Sequence, residues 1–440
     1  MKLLLAVLII LLSFGVANAD LQVACGNFGI TTQAATSTVE VNISPSFQPS
    51  LVIFFWNGRT NATDAVGGAA IRPGIGFATS ATTRRSITAA ENDASNPTAT
   101  ANTRRNDAAI AIFSAAGIDG LADVAMDTDG FTATIDDAFS ADYRIGYCAY
   151  GGSDLTNIAI GTFNTGTSTG DVTVTGVGFE ADFVLLIDAT ISNAENGNSA
   201  NVGFSLGAAT RAGPTNAVTS FSLDDNVTPS DSNRYSLTGE SWAGWTAPAG
   251  PHARGSVTAF DSDGFTFNVI EAPTTGRPVY YLALKGPQFK IGNSLTQTNT
   301  STDIVTSGFG FTPSGVMVLS HLTSASTADT QQAHTEFSIG AATSDSNQLA
   351  MAILSEDNVA ASETATAIEF DNVLANISTS DAIEGSMTVK NGGWGSDGII
   401  YIMSDADPSQ SFFWYWAIGP AVVTSQRCIG CGFGRGGMID

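Results

Sequence analysis

The sequence predicts an all-β chain: three tandem antiparallel β-sandwich domains, jelly-roll-like, after a signal peptide. Three observations carry this. Apolar–polar alternation flanks Asp-Gly turns, a strong local hairpin signal. Landmarks recur at a domain-sized interval, 134 or 132 residues. No long 3.6-residue apolar stripe follows the N-terminal run, and Thr, Ser, Val and Phe are dense where helix formers are sparse.

The N-terminus reads first. Met1-Lys2 precedes an apolar run from Leu3 to Leu12, and small residues lead to Ala17-Asn18-Ala19 before Asp20. A basic start, a short apolar core and an A-x-A site predict cleavage after Ala19. The run is too short for a membrane span, which needs roughly 20 apolar residues. The expected mature chain is exported, extracellular or on the cell surface, with no membrane span.

The repeats come next. Asp129-Gly130, Asp263-Gly264 and Asp397-Gly398 recur with a period of 134, as do Ala149, Ala283 and Ala417. Phe47, Phe179 and Phe311 recur at 132, each leading into an apolar run. Asp225-Asn226-Val227 and Asp357-Asn358-Val359 keep the same interval. Gly76-Phe77-Ala78, Gly203-Phe204-Ser205 and Glu336-Phe337-Ser338 read as a further match. The expected division is 1–19 signal peptide, 20–152, 153–286 and 287–420 sandwich repeats, and 421–440 a Gly-rich C-x-x-C tail. Repeats this long are domains, not the 20–50-residue units of a solenoid. Within a repeat, Val257 to Phe260 and Phe265 to Val269 flank an Asp-Gly turn and predict a hairpin. Phe131 to Ile135 and Val172 to Thr175 predict further strands.

Composition narrows the function. Of 440 residues, 17 are Lys or Arg and 41 Asp or Glu, for a net charge of −24. Such a balance excludes a nucleic-acid binder, which needs clustered cations. A hydrophobic share of 43% and a charged share of 13% exclude a charge-rich disordered chain. Seven of the 13 Arg lie in the first repeat, including Arg84-Arg85 and Arg104-Arg105. They are expected to neutralise nearby Asp within their own sandwich, or else to meet an anionic glycan or a partner's acidic face.

Candidate chemistry is sparse. Asp127 and Asp129, and Asp261 and Asp263, sit in D-x-D-G stretches that resemble fragments of calcium loops. The competing reading is a hairpin turn in which Asp caps its own backbone. Cys25 and Cys148, near the first and last strands of repeat one, are candidates for a disulfide in an exported protein. Cys428 and Cys431 form a lone C-x-x-C with too few ligands for zinc, so a disulfide in the tail or to another chain is expected. Trp242 and Trp245 flank a Gly and are the candidate sugar-stacking residues. Trp414 and Trp416 lie in a closing strand and are expected in the core. No H-E-x-x-H or nucleophile elbow with correct spacing occurs. No cofactor is expected, calcium apart.

Phe54-Phe55-Trp56-Asn57-Gly58-Arg59-Thr60, Gly74-Ile75-Gly76-Phe77-Ala78, Asp129-Gly130-Phe131-Thr132 and Tyr150-Gly151-Gly152-Ser153-Asp154-Leu155-Thr156-Asn157 together resemble uncharacterised tandem-repeat β-sandwich proteins of phage and environmental genomes. The likeness covers repeat one well and the others more loosely. It implies no catalytic residues and favours a virion or surface-structure component. The expected function is a non-enzymatic exported structural or adhesive surface protein. A carbohydrate-binding module array and a virion surface or tail component are the alternatives. Glycans, a cell or virion surface, and further copies of the chain are the expected partners.

Overall fold

The computed structural model describes residues 20–32, 34–189, 195–212, 215–245, 251–324 and 331–422, with the backbone alone for 251–252 and 322–324. The signal-peptide reading and the Cys428-x-x-Cys431 tail lie outside the described residues. Strands and their turns account for the described chain, and no helix occurs among the described residues.

The first repeat sets the plan. Its strands are β1 (Gln22–Ile30), β2 (Thr38–Asn42), β3 (Leu51–Trp56), β4 (Ala65–Gly68), β5 (Gly74–Ala78), β6 (Arg84–Glu91), β7 (Thr100–Arg105), β8 (Ile110–Ser114), β9 (Gly117–Asp127), β10 (Gly130–Asp137) and β11 (Tyr143–Gly151). A large sheet runs β1-β11-β3-β5-β6-β7 and a small sheet runs β2-β10-β9-β8. The outer wrap, with β11 between β1 and β3 and β10 beside β2, is jelly-roll-like. The remaining strands run as two meanders, β3 to β7 (less β4) and β8 to β10. The same pair of sheets recurs between residues 157 and 285 and between 288 and 419. The predicted hairpin is present as Pro251–Asp261 against Gly264–Glu271.

Burial differs between the two kinds of sheet, and the difference explains their sequences. Small-sheet strands alternate: β10 buries Phe131, Ala133 and Ile135 and leaves Thr132 and Thr134 partly exposed. Edge strands of the large sheets such as β1 are only partly buried, but inner strands such as β3 and Phe183–Asp188 are buried along their whole length. Both faces of these strands are covered, so both must be apolar. Val52, Phe54 and Trp56 pack against their own small sheet. Leu51, Ile53 and Phe55 face the other way, into one core shared with Phe183, Leu185 and Ile187 and with Met317 and Leu319. The three large sheets therefore surround a common centre. The repeats are not beads spaced along a string.

Edges close the arrangement. β4 leaves its own repeat and pairs with Thr364–Glu369 of the third. Ser199 of the second repeat bridges Asn102 on β7 of the first. Gln332–Ala333 of the third pairs with Ser232–Thr238 of the second. Each repeat thus covers the free edge of the preceding one, in cyclic order, so these edges are not left open to foreign strands.

One sequence match shifts register. In the structure Val52, Val184 and Val316 pair with Ala78, Ala209 and Ala342. That register aligns Gly76 with Gly207 and Gly340, so Phe77 is not the counterpart of Phe204 and Phe337. The three glycines share a cause. A Cβ on each would stand 2.0, 2.2 and 2.1 Å from the carbonyl oxygens of Ala109, Ser241 and Val373, where large and small sheets meet. Backbone cannot retreat there without moving a sheet. Gly207→Ala is expected to destabilise the fold by roughly 1–3 kcal/mol, read as a lower urea midpoint at unchanged m-value. An unchanged midpoint would contradict this packing.

Candidate functional site

The three hairpin loops 92–99, 224–231 and 356–363 meet at one end of the large sheets. Ala94, Asn226 and Asn358 hold φ of 52°, 57° and 59° at the same place in each loop. Asp225 Oδ1 accepts the Thr100 N–H at 2.8 Å, Asp357 Oδ1 that of Ser232 at 3.1 Å, and Asp93 Oδ1 that of Thr364 at 3.1 Å. The Thr98, Ser230 and Ser362 hydroxyls donate to the carbonyls of Asp224, Glu356 and Asn92 at 2.6, 2.7 and 2.6 Å. The same hydroxyls accept the N–H groups of Val227, Val359 and Ser95. The first repeat holds the second, the second the third, and the third the first. This clasp satisfies loop backbone that would otherwise be buried unpaired.

Arg104, Arg85 and Arg59 of repeat one serve the seams between repeats, while Arg72 pairs with Asp119 inside it. The buried Arg104 guanidinium lies 3.8 Å from buried Asp188 of the second repeat. Arg85 stands over the Tyr280 ring, also of the second, at 5.1 Å. Arg59 Nε donates to the Thr366 carbonyl of the third repeat at 3.1 Å, and Asn57 Nδ2 to those of Ala352 and Ala367. Arg84–Asp123 and Arg105–Asp107 stay within repeat one, as expected. Between the second and third repeats, Arg234 pairs with Glu336 at 2.9 Å. Most of the seam chemistry thus joins repeats rather than opening onto a substrate.

Buried titratable groups sit just inside the clasp. Glu91, Leu223 and Ser355 occupy equivalent positions, as the cross-strand partners of Thr100, Ser232 and Thr364 respectively, and all three are buried. Burial pushes the Glu91 carboxyl up to about 7; the Ser355 hydroxyl opposes the rise and the Asp93 charge adds to it. Burial also lifts Glu336 to about 7, against the pull of Arg234. His321, fully enclosed between Phe221 and Phe337, is pushed down to about 3 by burial and by Arg234, so its ring is neutral.

The predicted site residues fall as follows. Trp242 and Trp245 are 0% and 2% exposed, which corrects the sugar-stacking expectation. Trp242 packs near Phe267 and donates to Asp188 at 3.1 Å; Trp245 lies with Val218 and Tyr235. The stretch reads as a loop because Gly244 separates the indoles, but a Cβ there would strike the Trp242 ring, so Gly serves core packing. Trp414 and Trp416 lie in the shared core. Three of the D-x-D-G carboxylates have intrachain partners. Asp127 and Asp261 accept the hydroxyls of Thr132 and Thr266, and Asp263 caps Gly176 and Gly178 N–H at 3.1 and 2.7 Å. The Asp129 carbonyl accepts Ile43 N–H. Among the described residues no three His, Cys, Asp or Glu are placed to hold a metal ion. Cys25 and Cys148 are cross-strand partners on β1 and β11 and form a disulfide.

The clasp is what sequence reasoning missed. Its one visible signal was the repeated Asp-Asn-Val, which repeat one renders as Asp93-Ala94-Ser95. Two open depressions flank the seam between the second and third repeats. One, about 640 Å³, lies at the clasp; the other, about 400 Å³, lies near Asp182, Arg211, Phe311 and Val422. Compared with protein-family models and with curated proteins, the chain matches none.

Two outcomes are expected. Asp225→Ala leaves the Thr100 N–H unpaired and lowers stability by roughly 1–3 kcal/mol. Asp93→Ala, at the other end of the chain order, has a similar effect if the ring is closed; urea melts of both variants check it. Glu91 has a folded-state pKa above its ordinary 4.5, so its contribution is full below about 4.5 and is lost as pH rises through about 7. Wild type is therefore expected to be less stable at pH 8.5 than at pH 5.5 by up to about 2 kcal/mol from this group. Glu91→Gln removes that share, read by thermal melts across the range.

Proposed function

We propose that the chain is a non-enzymatic, exported structural or adhesive surface protein whose three repeats act as one body. The observation that carries this is the closed clasp. A single chain with three interlocked, equivalent sandwiches is a rigid block with three similar outer faces. Such a block suits lateral assembly or seating on a three-fold surface, because repeated equivalent contacts generate closed or lattice symmetry. Two further features support export: the leader-like Met1 to Ala19 and the buried Cys25–Cys148 disulfide, which oxidising compartments favour. No helix among the described residues is long and apolar enough to cross a membrane.

A virion surface component is the second reading. The three-fold arrangement favours it, as does the resemblance carried by the Phe54 to Thr60 run. A carbohydrate-module array loses its motive with Trp242 and Trp245 buried.

Negative-stain electron microscopy of residues 20–440, with light scattering over a concentration series, tests the proposal. The expected result is a compact three-lobed particle that forms regular layers or filaments, or decorates a surface at high density. Extended three-bead particles, or a strictly monomeric protein that turns over a hydrolase substrate, would overturn it.

A further inference from the structure

The depression at the clasp is lined by Asp224, Val227, Pro229, Ser230 and Asp231 of the second repeat and Gln331, Asp357 and Asn358 of the third. Three of these are carboxylates, and no Lys or Arg lines it. Asp357 uses Oδ1 on the Ser232 N–H, and Asp231 Oδ1 accepts the Asn233 amide at 2.6 Å. Asp224 differs. It is 5% exposed, lines the cavity, and its carboxylate accepts no hydrogen bond from any described residue. Its carboxylate is left to whatever enters the open depression, and the Asp231 charge beside it favours a cation there.

Comparison within the molecule points the same way. At the positions of Asp224 and Asp231, repeat one has Asn92 and Ala99 and repeat three has Glu356 and Glu363; the loop backbone closes identically in all three, Asp224 N–H to Asp231, Asn92 N–H to Ala99 and Glu356 N–H to Glu363. The fold does not require the acids. Burial and the Asp231 charge push Asp224 up to about 6, so at neutral pH the pair carries charge that the loop leaves unneutralised. A bare metal ion fits poorly, since no three acids converge on one point among the described residues. A cleft of about 640 Å³ has the size of a small-molecule site.

We propose that this cleft binds an organic cation, an alkylammonium or guanidinium group seated between Asp224 and Asp231. Its source is either a free polyamine or a basic side chain of a partner protein.

Titration calorimetry and thermal shift on residues 20–440 test this, with spermidine, a capped tri-arginine peptide, calcium chloride and sodium chloride at matched ionic strength. The expected result is saturable binding of spermidine or the peptide, weakened about tenfold or more in Asp224→Asn/Asp231→Ala. That variant installs the residues repeat one already uses, and Asp224→Asn alone is the milder second variant. Tighter spermidine binding assigns a free polyamine; tighter peptide binding assigns a protein partner. Absence of saturable binding by both cations, binding unchanged in both variants, or a calcium response that alone disappears in them would overturn the proposal.

Discussion

The inner faces of the three large sheets cannot be left in water, and the rest of the structure follows from that. Leu51, Ile53 and Phe55, with Phe183, Leu185 and Ile187 and with Met317 and Leu319, form one core to which every repeat contributes. Burial of apolar surface is worth about 25 cal/mol per Å², and these side chains find cover only against one another. A large sheet removed from its neighbours would expose a whole apolar face. The repeats therefore have the core logic of one domain although each has two sheets of its own.

A core closed around an axis creates a polar problem at its ends. Hairpin loops converge there, and their N–H and carbonyl groups lose solvent. The clasp answers with short polar side chains at fixed positions: an Asp that takes the preceding repeat's N–H, and a Ser or Thr that bonds both a carbonyl and an N–H across the seam. Thr98, Ser230 and Ser362 have the same partners by position, although the loops around them differ in sequence. Farther down the seams, contacts are not equivalent. The first–second seam has Arg104–Asp188, the second–third has Arg234–Glu336, and the third–first has Arg59 and Asn57 on backbone carbonyls. Distinct seam chemistry within equivalent geometry fixes which repeat lies beside which, the role best attested for buried charge.

The sequence displayed the repeats, the hairpins and the all-β class because these are local or periodic. Asp263-Gly264 with alternating flanks needs no tertiary context. The Cys25–Cys148 pair was also within reach, since β1 and β11 open and close one repeat. What lay hidden depends on contacts between repeats. Leu51 to Trp56 is a continuous apolar run, the signature of a strand covered on both faces, but nothing local says what covers the second face. Arg104 was read with the acids nearest in sequence, whereas its partner Asp188 is in the next repeat. Trp242 and Trp245 looked exposed because Gly and Ser surround them, yet Gly244 is there to admit the Trp242 ring. The missed register of Gly76 has a different origin. Gly76 and Gly340 do keep twice the 132-residue interval, but Phe204 and Phe337, four residues before the true counterparts of Phe77, offered a more conspicuous match.

The clasp also separates what the fold needs from what it merely tolerates. Asp93, Asp225 and Asp357 recur in all three loops because each closes a seam. The neighbouring position varies as Asn92, Asp224 and Glu356, and the position seven residues on as Ala99, Asp231 and Glu363. Structure constrains only their backbones, which pair in the same way in each loop. Where a side chain is free to vary in three equivalent settings, an acid is not required by folding: Asn92 serves in repeat one, although Asp224 and Glu356 are both buried acids. The charge of such an acid adds repulsion to a chain already at −24. An acid retained at such a position gains a reason only from something outside the chain, and the opposite charge is the simplest thing to supply it.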